Sequence, residues 1–169
     1  MSARLIVTGT RIALATLLAV GVPAIATAAS GTANLRGPLT LAAKGCGSHH
    51  GKATATVTLA ANGTWSVQVD FGTLTGTYVA LDTAGRKLDL DFDPASLVAL
   101  QGIVAGDVTE ACRRPAQLTG ATKKKFRLTL NRKLTKATLT IRYLFTGAPG
   151  TKPATASEAI VLHGRWIAS

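Results

Sequence analysis

Between Ala53 and Asp93 apolar and polar residues alternate with a period of two, interrupted only at three glycine-containing corners. Ala53, Ala55, Val57 and Leu59 alternate with Thr54, Thr56 and Thr58; Trp65, Val67, Val69 and Phe71 alternate with Ser66, Gln68 and Asp70. This period sends successive side chains to opposite faces of a sheet, so each run predicts a half-buried β-strand.

Pairing is then constrained, because residues directly opposite in antiparallel strands share a face. A two-residue turn at Asn62-Gly63 would set Val57 against Gln68. A three-residue loop, Ala61-Asn62-Gly63, with Gly63 left-handed, pairs Leu59 with Trp65 and Val57 with Val67 instead. A tight turn at Gly72-Thr73 places Val69 opposite Gly76, Val67 opposite Tyr78 and Trp65 opposite Ala80. The loop Thr83-Ala84-Gly85 pairs Ala80 with Leu88 and Tyr78 with Leu90, leaving Asp82 across from Arg86. The whole stretch, 52–93, reads as a four-strand meander with one inner face.

After Asp93 the period lengthens. Asp93 suits an N-cap and Pro94 the first helical position, and Leu97, Leu100, Val104 and Val108 recur at helical spacing, predicting a helix over 94–112. Gly102 and Gly106 weaken it by about 1 kcal/mol each relative to alanine. Over 123–168 the strand period returns. Phe126, Leu128 and Leu130 alternate with polar residues, as do Leu139, Ile141, Tyr143 and Phe145, and the offset demands an even-numbered loop near Arg132–Thr135. In the last strand either Ile160, Leu162 and Trp166 or Ala159, Val161 and Ile167 face inward. Before the meander, Pro38–Ala42 is a candidate extra strand, followed by a glycine-bounded loop, Lys44–Lys52.

Seven or eight short strands with one helix after the fourth meander strand predict an all-β fold: an up-and-down barrel, with a two-sheet sandwich as the alternative. Closure removes the edges that an open sheet must protect, which favours the barrel.

The N-terminal 1–28 is set apart. Arg4 and Arg11 precede an apolar run, Ile12–Ala26, broken by Gly21 and Pro23 and ending at Ala26-Thr27-Ala28. This is the arrangement of a cleaved secretory signal peptide; a spanning helix needs about 20 apolar residues. The expectation is a secreted or periplasmic protein with no membrane span after cleavage, and a single β domain over 29–169.

Export changes the reading of the two cysteines. In an oxidising compartment Cys46 and Cys112 predict a disulfide. The alternative is a metal site from Cys46, His49, His50 and Cys112, although their spacing fits no closed zinc motif. Asp89, Asp91 and Asp93 share one strand face, too far apart for a calcium loop, and read as an exposed acidic face paired with basic residues elsewhere.

Charge adds a partner class. The 169-residue chain carries 19 Lys and Arg against 8 Asp and Glu, a net charge of +11. The basic residues concentrate in Lys123, Lys124, Lys125, Arg127, Arg132, Lys133, Lys136 and Arg142, with no acid between Cys112 and Ser157. Such a field attracts polyanions or an anionic envelope surface. Phe126 and Tyr143 point inward, so the aromatic platform of a specific nucleic-acid binder is missing from this hairpin. A small apolar molecule inside the barrel is the second candidate partner, with Trp65, Gly76 and Tyr78 as candidate cavity residues. No nucleophile elbow, phosphate loop, dinucleotide or zinc-protease motif is present, so the expected function is noncatalytic binding without a cofactor, through the surface to anionic envelope material or a partner protein. The enzyme alternative would need His49, His50 or His163 to meet a nucleophile or orienting carboxylate from a distant part of the chain. Gly63-Thr64-Trp65 resembles the Gly-x-Trp of lipocalins, and Arg165-Trp166 their late arginine. The likeness covers three residues, and this Trp falls on the second strand of the meander and not the first.

Overall fold

The computed structural model describes residues 30–69 and 72–169. The segment read as a signal peptide, and Asp70 and Phe71 of the meander, lie outside them. Eight antiparallel strands, β1 (Gly31–Ala43), β2 (Gly47–Leu59), β3 (Thr64–Val69), β4 (Gly72–Ala80), β5 (Lys87–Phe92), β6 (Leu118–Leu130), β7 (Lys136–Gly147) and β8 (Thr155–Ala168), form a closed barrel. Helix α1 (Pro94–Cys112) lies between β5 and β6. Pairing of β8 with β1, from Gly31↔Ala168 to Ala43↔Ala156, closes the ring and decides for the barrel over the sandwich.

Two meander corners are as expected. Leu59 pairs with Trp65 and Val57 with Val67, with Gly63 at φ 85°; Ala80 pairs with Leu88 and Tyr78 with Leu90. The middle corner differs. Val69 pairs with Gly72, Val67 with Leu74 and Trp65 with Gly76, so Gly72 and Thr73 belong to the β3–β4 ladder and are not its turn. The slip is even and leaves the described side chains of β3 and β4 on their expected faces, which is why alternation does not detect it. Trp65 supplies the physical reason for the observed register. Its indole Nε1 donates to the carbonyl oxygens of Thr77 at 2.9 Å and Asp91 at 3.1 Å. A Cβ on Gly76 would lie 2.9 Å from that nitrogen and 1.9 Å from Asp91 O, so only glycine fits beneath the ring.

Several strands are longer than their sequence pattern. β1 extends well beyond Pro38–Ala42, β2 begins at Gly47, and β6 begins at Leu118. Thus most of Lys44–Lys52, expected as a loop, belongs to the β1–β2 ladder, His49 pairing with Leu41 and His50 with Thr40. Long ladders sustain these segments: β1 pairs with β2 on one side and β8 on the other, the start of β2 pairs with β1, and the start of β6 pairs with β7. Pro38, which has no N–H to offer, is tolerated because the β1–β8 register passes over Gly37 and Pro38. In β8 the ambiguity resolves toward Ile160, Leu162 and Trp166: Ala156, Glu158, Leu162 and Trp166 are buried, and Ile167 is 56% exposed. The β6–β7 hairpin keeps the even offset, pairing Leu130 with Ala137.

The core is built from the inward set of every strand, with Trp65, Phe92, Phe126 and Tyr143 as a contiguous aromatic cluster. α1 lies across one end. The Asp93 carboxylate caps it by accepting from Ser96 N at 2.7 Å and also accepts from the Thr75 hydroxyl, while Thr75 N donates to Ser96 Oγ at 2.8 Å. Leu100, Val104, Val108 and Cys112 form its buried stripe. Its last residue is bonded to the β1–β2 hairpin through Cys46–Cys112. The helix is therefore fixed to the barrel at both ends.

Candidate binding surfaces and the covered cavity

The disulfide takes both thiols out of the alternative metal ligand set, and among the described residues no three His, Cys, Asp or Glu side chains converge as a metal site. His50 contacts the hydroxyls of Thr40 and Ser48, and His163 that of Thr138.

The basic hairpin is divided. Lys123 Nζ lies 3.2 Å from both Asp89 Oδ2 and Asp91 Oδ2 and donates to Leu90 O at 3.1 Å. Burial alone would lower this ammonium, but the bonds to Asp89 and Asp91 outweigh it and hold its pKa above the ordinary lysine value. Lys123 thus bridges Asp89 and Asp91 on the acidic face of β5, the pairing expected for that face. Lys124 sits at an irregularity of the β6–β7 register, and exposed Lys125 pairs with exposed Arg142. Arg127 is half-buried, opposite Asp89 in the β5–β6 register.

Arg132, Lys133 and Lys136 belong to a different surface, the barrel end away from α1. There the β4–β5 turn, the β6–β7 turn and the end of β8 lie side by side: Leu130 N donates to Arg86 O at 2.8 Å, and Trp166 N to Thr135 O at 2.9 Å. Lys136 pairs with Arg165. Arg86, Lys87, Arg132, Lys133, Lys136 and Arg165 therefore form one basic arc. Between them stand three exposed apolar side chains, Leu81, Leu134 and Ile167. The carboxylate here, Asp82, is engaged by its own turn, accepting from Arg86 N at 2.7 Å and Lys87 N at 3.2 Å. Only half of this arc is visible as a basic run in the sequence, because Arg86, Lys87 and Arg165 come from distant segments that closure brings together.

The interior holds a second feature. Beneath α1 is a cavity of about 180 Å³ with mainly apolar walls, among them Leu39, Val67, Phe92, Leu100 and Ile160. Two carboxyl groups line it, Glu158 from β8 and Asp107 from α1. Glu158 is 4% exposed, and its Oε2 has no hydrogen-bond partner. Burial, reinforced by Asp107, raises the Glu158 pKa to about 7; burial also raises that of Asp107. The candidate cavity residues lie elsewhere: Trp65 packs against Phe92 and Phe126, Gly76 sits beneath its indole, and Tyr78 Oη donates to Ala60 O at 2.6 Å. The signal for Glu158 is present in the sequence as parity, since it stands on the same strand face as Ile160 and Leu162.

No family model, curated protein or solved structure matches the chain.

Proposed function

We propose that the protein is an exported, noncatalytic barrel that docks on an anionic envelope surface through the end opposite α1. The observation that carries this reading is the convergence of six cations from three segments around exposed Leu81, Leu134 and Ile167. Cations alone would suit any polyanion. Apolar side chains interleaved among them suit an anionic bilayer, where each Lys or Arg near the surface contributes about 1 kcal/mol and buried apolar area adds to it. A disulfide supports the exported setting.

Cosedimentation with phosphatidylglycerol-containing vesicles tests the reading, with pure phosphatidylcholine vesicles as the control. Binding should require the anionic lipid and weaken as salt shortens the screening length to about 8 Å at physiological ionic strength. Reversing Arg132, Lys133 and Lys136 to Glu should cost at least about 3 kcal/mol, on the order of a hundredfold in affinity. Lys123→Ala should leave vesicle binding unchanged, because that ammonium is occupied by Asp89 and Asp91. Equal sedimentation of the triple variant, or none of the unmodified protein at low salt, rules the surface out.

A further inference from the structure

We propose that the covered cavity is a binding site for a small organic amine, an apolar body of about benzene size carrying one ammonium group, with Glu158 as its counter-ion. Size comes first. A cavity of about 180 Å³ is close to the roughly 150 Å³ that holds one benzene molecule in an apolar protein interior. Its walls are supplied by inward residues of the strands and by Leu100 and Ile103 of α1. A compact hydrocarbon or aromatic body fits them.

The polar chemistry then selects the head group. A buried carboxyl oxygen without a partner is costly, and Glu158 Oε2 is such an atom. Asp107 lines the same cavity from the helix side and makes matters worse, since two neighbouring carboxylates disfavour each other's ionisation. A ligand ammonium would answer both groups at once. A carboxylate or phosphate ligand would meet the wrong sign. A neutral hydrocarbon would fill the walls and leave Glu158 as it is. A metal ion would find only two carboxylates among apolar side chains, too few for the oxygen shell that hard cations take.

The other ionisable groups around Glu158 do not supply the missing cation. Tyr143 of β7 stands opposite in the register, its phenol held far above its ordinary pKa by burial and by Asp91 and Asp89. β1 places Leu41 opposite. α1 contributes Asp107 and, further on, Glu110, both acidic. On β2, Lys52 lines the cavity where it meets solvent, is exposed, and makes none of the ion pairs found among the described residues. His49 acts on Asp107, not on Glu158.

The sign of the pH dependence follows. An ammonium binds the ionised form of Glu158, so affinity is greatest above pH 7 and falls by up to tenfold per unit below it. Benzylamine, cationic throughout this range, is the probe, with toluene and benzyl alcohol as neutral companions. Titrations of ¹⁵N-labelled protein should show saturable benzylamine shifts on β8 and α1 at pH 8. Its affinity should exceed that of either neutral companion at least tenfold and lose this advantage by pH 5. Glu158→Gln should remove the preference for the amine while retaining toluene. Absence of saturable benzylamine binding, affinity no better than that of toluene, or a pH profile unchanged in Glu158→Gln would each overturn the proposal. Should that variant not fold, the comparison of benzylamine with benzyl alcohol across pH in the unmodified protein decides alone. An amine advantage that persists at pH 5 counts against Glu158.

Discussion

At the scale of the residue, Glu158 is the costly group of this barrel. Its folded-state pKa of about 7 stands above the ordinary 4.5, so between these values the folded chain holds a proton that the unfolded chain has released. Stability is therefore full below about pH 4.5 and declines as pH rises to 7, by about 3 kcal/mol for a shift of this size. Urea unfolding of the unmodified protein should show a lower midpoint at pH 8 than at pH 5. Glu158→Gln, which cannot ionise, should flatten that difference. Asp107, also raised by burial, works in the same direction. Trp65 and Gly76 show the opposite economy. A large ring and an absent side chain are matched so closely that they fix the β3–β4 register between them.

At the scale of the element, α1 is held by its ends and its inner stripe more than by its own propensity. Asp93 and Ser96 secure the first turn, Arg113 closes the last in the left-handed region at φ 52°, and Cys112 carries the disulfide. Its exposed side includes Gly102 and Gly106, where an added Cβ would meet nothing within 4 Å. Each glycine gives up helix propensity without a compensating close approach. Gly102→Ala and Gly106→Ala should each raise the unfolding free energy by up to about 1 kcal/mol, additively. Thermal unfolding measures this directly. No gain would mean that the helix is already frayed at these positions.

At the scale of the molecule, closure and the disulfide act on different regions. Closure pairs β8, the last strand, with β1, the first, through a ladder in which neither cysteine takes part. The disulfide spans 66 residues, a loop whose restriction in the unfolded chain corresponds to about 4 kcal/mol. Replacing both cysteines by serine should lower stability by about that amount while far-ultraviolet circular dichroism retains the barrel signature. Hydrogen exchange should rise first in the last turns of α1 and in the β1–β2 hairpin. If protection is lost evenly around the barrel, the bridge does more than fasten the helix.

Parity and punctuation by themselves determined much of this protein. Alternation from Ala53 to Phe92 assigned the inner face, Gly63 and Gly85 set two registers, Asp93-Pro94 marked the helix start, and two cysteines in the chain predicted their own bond. These are local consequences of backbone geometry, so they can be read without the rest of the chain. What alternation could not supply was any quantity that depends on which even register is chosen or on what lies across the barrel. Trp65 over Gly76 is a contact between strands, and the full length of β1 rests on hydrogen bonds from β2 and β8. Lys123 was drawn to Asp89 and Asp91 from more than thirty positions away. The basic arc and the Glu158–Asp107 cavity arise only when closure and helix docking bring distant segments together, because charge and volume at a site are sums over neighbours in space, and the sequence orders neighbours along the chain.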